Sequence, residues 1–236
     1  MGRVVWLSGN SGAGKTFTGD YLERCAGFTH VDGDELYWSS APGEKELFSN
    51  LIKAFDFWFE NKPAPVDLWH PYFQHVIAKV RATTAVHADV CISLTVYHRE
   101  TRDFLRAHLP EHTFVLLRVS APELIRRARV RFAEYAKSRG QTFERAFEQA
   151  HGLAAGSFSD ADFDARTLAI MRGLQPLAAD EARCHELDAD DGAPWAALHA
   201  LLGLPPPPVT IPLEEIADVN YARFRAHAPQ KLDAEG

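Results

Sequence analysis

Short runs of consecutive apolar residues alternate with longer stretches in which apolar side chains recur every three or four positions. The first pattern predicts buried strands and the second amphipathic helices. Strand-like runs lie at 3–8, 28–32, 89–95, 113–119 and 183–187. Helical patterns lie at 15–25, 44–60, 71–86, 99–108, 122–139, 163–177 and 195–202. In the second of these, Leu47, Leu51, Phe55 and Trp58 share one face. Residues 61–65 break the pattern, and Pro71 and Pro122 fit early helix positions, with Ser120 as the N-cap of the later helix. The stretch 140–164 is polar and glycine-containing and reads as loop. Strands separated by helices predict an α/β fold, a parallel sheet covered on both faces. There is no internal repeat.

The chain has 236 residues and is 46% hydrophobic, enough for one α/β domain with inserts. This domain is assigned to 1–204. Leu204-Pro205-Pro206-Pro207-Pro208 begins a stiff linker, and the tail beyond it carries Ile211, Leu213, Ile216, Val219, Tyr221 and Phe224. A tail of that composition is expected to dock on its own domain or on a neighbouring subunit, which leaves a homodimer open. Net charge is −7 without a dense Lys/Arg run, which argues against non-specific binding to nucleic acid or anionic membrane. No apolar run approaches the ~18 residues of a membrane span. The three cysteines, Cys25, Cys91 and Cys184, are far apart and odd in number. They fit reduced thiols in a cytoplasmic protein better than a disulfide frame or metal site. The chain starts on a strand, not on a signal peptide.

Chemistry concentrates at Gly9-Asn10-Ser11-Gly12-Ala13-Gly14-Lys15-Thr16. A strand precedes this segment and a helix follows, the context a phosphate-binding loop requires. The glycines let backbone N–H groups converge on one phosphate, and the helix start adds partial positive charge. Lys15 can reach the β- and γ-phosphates, and the Thr16 hydroxyl can ligate Mg²⁺. Motors and GTPases of this loop type add a second strand ending in Asp. Here Phe114-Val115-Leu116-Leu117 runs into Arg118 and Val90-Cys91-Ile92 into Ser93. Asn61-Lys62-Pro63-Ala64 lacks the acid of a guanine-reading motif. The acids stand instead at Asp32-Gly33-Asp34, after the second strand. In an extended segment both carboxylates share one side. One can hold a Mg²⁺ water and the other can take a proton from an attacking hydroxyl. The alternative is a solvated Asp-Gly turn.

With Leu94-Thr95-Val96-Tyr97-His98-Arg99-Glu100-Thr101-Arg102-Asp103-Phe104-Leu105-Arg106 added, these segments resemble the gluconokinase and shikimate-kinase group of small P-loop kinases over about the first 135 residues. The resemblance implies a three-layer fold on a five-stranded parallel sheet, a helical substrate insert at about 35–86, and a lid at about 126–162. It implies ATP as donor, Mg²⁺ at Thr16 and Asp32, Asp34 as base for the acceptor hydroxyl, and Arg99 and Arg102 near the acceptor. The lid helix carries Arg126, Arg127, Arg129, Arg131 and Arg139. Arg127 and Arg131 share a face and can stabilise transition-state charge. The alternative is a solvated basic face paired with Glu123 and Glu134.

The insert departs from the gluconokinase pattern. Residues 62–72 keep an Asp, a Trp and a Pro but no Arg, and the insert is rich in rings, among them Trp38, Phe55, Trp58, Trp69 and Tyr72. Such rings form a core or a flat acceptor surface, and a sugar-acid pocket would be more basic. Asp67 and His70 are candidate acceptor contacts. Three readings follow. The first is a kinase for a small-molecule hydroxyl. The second is a nucleotide or nucleoside kinase, which the aromatic insert and Pro65-Val66-Asp67 favour. The third is a non-catalytic nucleotide-binding regulator, which the intact Lys15, Thr16, Asp32 and Asp34 oppose.

Overall fold

The computed structural model describes residues 2–34, 42–190, 194–208 and 214–216. Five strands, β1 (Val4–Gly9), β2 (Thr29–Asp32), β3 (Val90–Ser93), β4 (Thr113–Arg118) and β5 (Cys184–Asp188), form one sheet in the order β2-β3-β1-β4-β5. Every pairing is parallel. The helices are α1 (Lys15–Ala26), α2 (Pro42–Phe59), α3 (Val66–Thr84), α4 (Arg99–His108), α5 (Ala121–Ser138), α6 (Phe143–Ala150), α7 (Asp160–Arg172) and α8 (Trp195–Leu202).

The alternation of a strand's side chains divides the core in two. Trp6, Ile92, Phe114 and Leu116 face α2, α3 and α4, where they meet Leu51, Trp58, Tyr72, Phe73, Val76 and Leu105. Val5, Leu7, Cys91, Val115 and Leu117 face α1 and α8, where they meet Tyr21, Leu22, Trp195 and Leu198. A sheet buried on both sides explains why its central strands read as unbroken apolar runs rather than alternating ones. Ile216 also packs into the second cluster, and Glu215 pairs with Arg24 of α1. Tail positions 209–213 and 217–236, and Trp38, lie outside the described residues.

Two elements differ from expectation. Helix α3 begins at Val66 rather than at Pro71, which sits inside it. Proline there removes one N–H, and the carbonyl left without that donor belongs to exposed Asp67. The stretch expected as loop contains α6. Thr142 caps it by accepting from the Arg145 N–H at 3.3 Å. Its Phe143 and Phe147 lie 5.1 and 5.9 Å, between ring centroids, from Phe132 of α5, and Phe163 of α7 joins them. Helices α5, α6 and α7 thus share a small aromatic core of their own. Ser120 occupies the N-cap position of α5 without a side-chain cap bond; its N–H instead takes Asp190 at 2.6 Å.

The chain leaving α7 is fastened to α4. The Arg102 side chain is 2% exposed and that of Glu181 0%, and Arg102 donates twice to it, at 2.7 and 2.8 Å. Further Arg102 bonds go to the Gln175 and Pro176 carbonyls at 3.3 and 3.1 Å. Burial raises the Glu181 carboxyl, but bonds from Arg102, the Ala178 N–H and Arg106 outweigh it and hold the pKa down at about 2. Arg102→Ala would leave that carboxylate buried without its main partner. The substitution should cost about 3–5 kcal/mol in urea denaturation at neutral pH, more than the joint replacement Arg102→Met with Glu181→Leu. Because the folded pKa is depressed from 4.5, the Glu181 contribution is full above about pH 4.5 and is lost as pH falls toward 2. The Arg102→Ala deficit should shrink over that window.

Candidate active site

The loop 9–16 joins the end of β1 to the start of α1, at the carboxyl edge of the sheet. Gly9 has φ 149°, and a Cβ there would lie 2.7 Å from the Leu117 carbonyl oxygen of β4. Gly12 and Gly14 have φ 88° and 91°, a region closed to most side chains. An Ala13 N–H to Asn10 carbonyl bond of 3.0 Å closes the turn. No side chain caps α1 and no acid stands in its first turn, so its leading N–H groups remain for an anion. Lys15 folds over the loop and donates to the Asn10 carbonyl at 3.0 Å. Burial lowers its pKa to about 8, the carboxylates of Asp34 and Asp32 oppose that shift, and the charge of Arg131 adds to it. The Asn10 Oδ1 is buried with no hydrogen-bond partner among the described residues. Thr16 lies half-buried in the first turn of α1.

The acids approach the loop differently from the extended geometry predicted for them. Strand β2 ends at Asp32, and the chain turns at Gly33. The Gly33 N–H donates to the Ser93 carbonyl at 3.0 Å, and the Asp34 N–H to Asp32 Oδ1 at 3.0 Å. A Cβ on Gly33 would lie 2.5 Å from the Leu94 Cβ, so the turn needs glycine for close approach. The Tyr72 hydroxyl of α3 donates to the Gly33 carbonyl at 2.5 Å. Burial, then Asp34 and Asp32, push the Tyr72 phenol well up, and burial with Asp34 does the same to Tyr97. Lys79 of α3 is lowered by burial, against the pull of Asp32. The segment after β3 secures the tip of β1: Thr95 Oγ1 donates to the Gly9 carbonyl at 2.8 Å and the Val96 N–H to Ser8 Oγ at 2.9 Å.

On the lid, Arg127 donates to Glu123 at 2.6 Å and to the carbonyls of Ala189 and Asp190, the latter at 3.2 Å. A Cβ on Gly14 would stand 3.9 Å from its Nη1, which places the guanidinium against the loop. Bonds from Arg126 and Arg127 hold the Glu123 carboxyl down at about 2 despite some desolvation. Arg129 is committed to Asp160 and Asp164, at 2.5 and 2.6 Å, and lies over the Phe163 ring. Arg139 rests on Tyr135. Of the basic run, these contacts place Arg127 against the loop, and the charge of Arg131 acts on Lys15.

The other expected acceptor contacts stand elsewhere. Arg99 forms a bidentate pair with Asp180, at 2.8 Å twice, and a bond to Asp103 at 3.3 Å. Arg102 is buried on Glu181, as described. Both arginines fasten α4 to the chain returning from the lid, so neither guanidinium is aimed at the acid turn. Asp67 is exposed in the first turn of α3, and His70 packs its ring on Phe104, 4.2 Å between centroids. Among the described residues, neither bonds to the loop or the acid turn. Tyr72, expected only as one of the rings of the insert, bonds to the acid turn, and Lys79 and Tyr97, which feel the Asp32 and Asp34 charges, were not expected there. The helical phase of α3 was the available signal, since Trp69, Tyr72, Phe73, Val76 and Val80 form its buried face.

The residues present fit a Mg²⁺-bound nucleoside triphosphate. The loop N–H groups, Lys15 and Arg127 suit phosphates. Thr16 and Asp32 would hold the ion. Among the described residues no group of three or more His, Cys, Asp or Glu could hold a metal alone. Mg²⁺ at such sites takes few protein ligands and fills its shell with water and phosphate oxygens.

An all-parallel sheet with β1 at its centre, helices on both faces and the glycine loop between β1 and α1 is the three-layer P-loop α/β fold. Among solved structures the chain is similar to a gluconokinase from Sinorhizobium meliloti 1021, at 19% identity over 94% of this chain and 97% of that one, with a TM-score of 0.46. It is similar to a sugar kinase from Janibacter sp. HTCC2649, at 18% identity, 87% and 97% coverage and a TM-score of 0.49. It is also similar to a shikimate kinase from Bacteroides thetaiotaomicron, at 15% identity, 86% and 100% coverage and a TM-score of 0.46. No family model and no curated protein matches the chain. No helix among the described residues is long and apolar enough to cross a membrane.

Lys15→Met keeps the stem and removes the charge. Charge-assisted bonds of this kind contribute about 1.5–3 kcal/mol, so MgATP affinity measured by calorimetry should fall at least tenfold, with the urea midpoint unchanged or raised.

Proposed function

We propose that the chain is a phosphotransferase that moves the γ-phosphoryl group of ATP to a hydroxyl of a small metabolite. The observation that carries this reading is that β1 and β2 end at the same edge of the sheet, Asp32 in register with Ser93 and Ser93 with Leu7, so the glycine loop and the acid turn leave that edge together, near enough for the Asp32 and Asp34 carboxylates to act on the Lys15 charge. In this reading the loop N–H groups and Lys15 bind the β- and γ-phosphates. Arg127 and Arg131, on the lid at 126–162, offset charge that builds on the transferring group. Mg²⁺, when bound, neutralises phosphate charge at Thr16 and Asp32. Asp34 accepts the proton of the acceptor hydroxyl as its oxygen attacks the γ-phosphorus and ADP leaves.

The acceptor side is formed by the insert at 35–86. The ion pairs of Arg99, Arg102 and Arg106 with Asp103, Asp180 and Glu181 remove α4 as a source of cations for an anionic acceptor. The Tyr72 hydroxyl bonds to the Gly33 carbonyl of the acid turn from among the rings of Phe48 and Phe73. Both features favour an acceptor less anionic and flatter than a sugar acid.

The test is coupled ADP release with MgATP and a panel of neutral polyols, cyclitols, sugar acids, nucleosides and nucleotides. Neutral polyhydroxy compounds should turn over fastest. Asp34→Asn should keep ATP affinity and lose roughly 10²–10⁴-fold in kcat, the range of a removed general base. Full turnover by that variant removes the base assignment. A wild type that binds ATP and phosphorylates nothing supports a binding protein instead.

A further inference from the structure

Within this phosphotransfer reading, on which the inference rests, we infer that Tyr72 is a positioning residue that fixes the base Asp34 by clamping the peptide that carries it. The Gly33 carbonyl and the Asp34 N–H belong to one peptide unit. That unit is planar and stiff, so its two ends cannot turn independently. Its carbonyl end receives the Tyr72 hydroxyl at 2.5 Å. Its amide end donates to Asp32 Oδ1 at 3.0 Å. One residue earlier, the Gly33 N–H is held by the Ser93 carbonyl of β3 at 3.0 Å. The acid turn is therefore pinned at three successive backbone groups, and only the central pin comes from outside the sheet and the turn itself.

That pin is rigid. Tyr72 is 0% exposed, with Phe48 and Phe73 rings beside it at 6.3 and 6.0 Å between centroids. Its phenol is held in the protonated, donating form by burial and by the neighbouring carboxylates. Without the hydroxyl, the peptide keeps one end on Asp32 and can pivot about it. The Asp34 side chain would then swing, because its Cα rides on the plane, while Asp32 stays held in β2 in register with Ser93. The hydroxyl thus acts on turnover through Asp34, and the helix α3 sets the geometry of the acid turn.

Tyr72→Phe keeps the ring and its packing and removes only the donor. Two measurements test it. The first is amide hydrogen exchange by NMR of the full chain. Loss of a hydrogen bond that orders the turn should speed exchange at Asp34 roughly tenfold, with the β1 and β4 amides unchanged. The second is steady-state kinetics with the best acceptor of the panel. The kcat should fall roughly tenfold while acceptor KM and MgATP affinity stay within about threefold. Added to Asp34→Asn, the Tyr72→Phe change should lower kcat no further, because the group it positions is already gone. Unchanged exchange at Asp34 overturns the clamp whatever the activity. Unchanged kcat, an equal loss on the Asp34→Asn background, or a change in KM alone overturns the positioning role. Faster exchange in a protein whose wild type phosphorylates no acceptor supports the clamp and overturns the phosphotransfer reading instead.

Discussion

A buried charge must find its partner, and Arg102 with Glu181 is the place where this chain meets that demand. Neither side chain has appreciable contact with water. Their pairing fastens the segment after α7 to α4. It also sets up the bonds around it. Gln175 donates its N–H to the Tyr97 carbonyl at 2.9 Å, accepts the Arg99 N–H on its side chain at 2.9 Å, and reaches Asn61 at 3.1 Å. The chain after α7 therefore touches both the segment after β3 and the turn between α2 and α3.

Against that frame the two halves of the site have different characters. The loop half is backbone: a glycine loop held at positive φ, an uncapped helix start and one lysine. Its geometry follows from local φ angles and from the closeness of Leu117 to Gly9. The acid-turn half is held by side chains on α3 and by the strip after β3, packed between elements far apart in sequence. A loop specified locally tolerates almost no substitution. A surface specified by packing can change composition while keeping its shape.

The same difference explains what the sequence made legible. The glycine loop and the central apolar strands were readable because each is a local pattern with few structural alternatives. Helices α4 and α8 were placed from their periodicity to the residue. The roles of Arg99 and Arg102 were not readable, because their partners Asp180 and Glu181 stand 81 and 79 residues away. A local motif cannot show which acid will neutralise an arginine. Helix α6 was hidden for a related reason: eight residues with two phenylalanines look like loop until Phe132 and Phe163 supply the other side of a core. Pro71 misled by its usual preference for a helix start. The acid turn was read as extended because alternation is the default after a strand, and the cramped space beside Leu94 replaced it with a turn.

The division of the sheet into two unlike cores has a consequence of its own. The helix that begins at the phosphate loop belongs to one face, and the helices of the insert belong to the other. They share strands but few neighbours, so substitutions on the two faces should add rather than interact. The scaffold behaves like a lock whose bolt and keyway are cut in opposite plates. The keyway can be recut without moving the bolt, which is how a chain can hold a phosphate loop unaltered beside an insert unlike those it resembles.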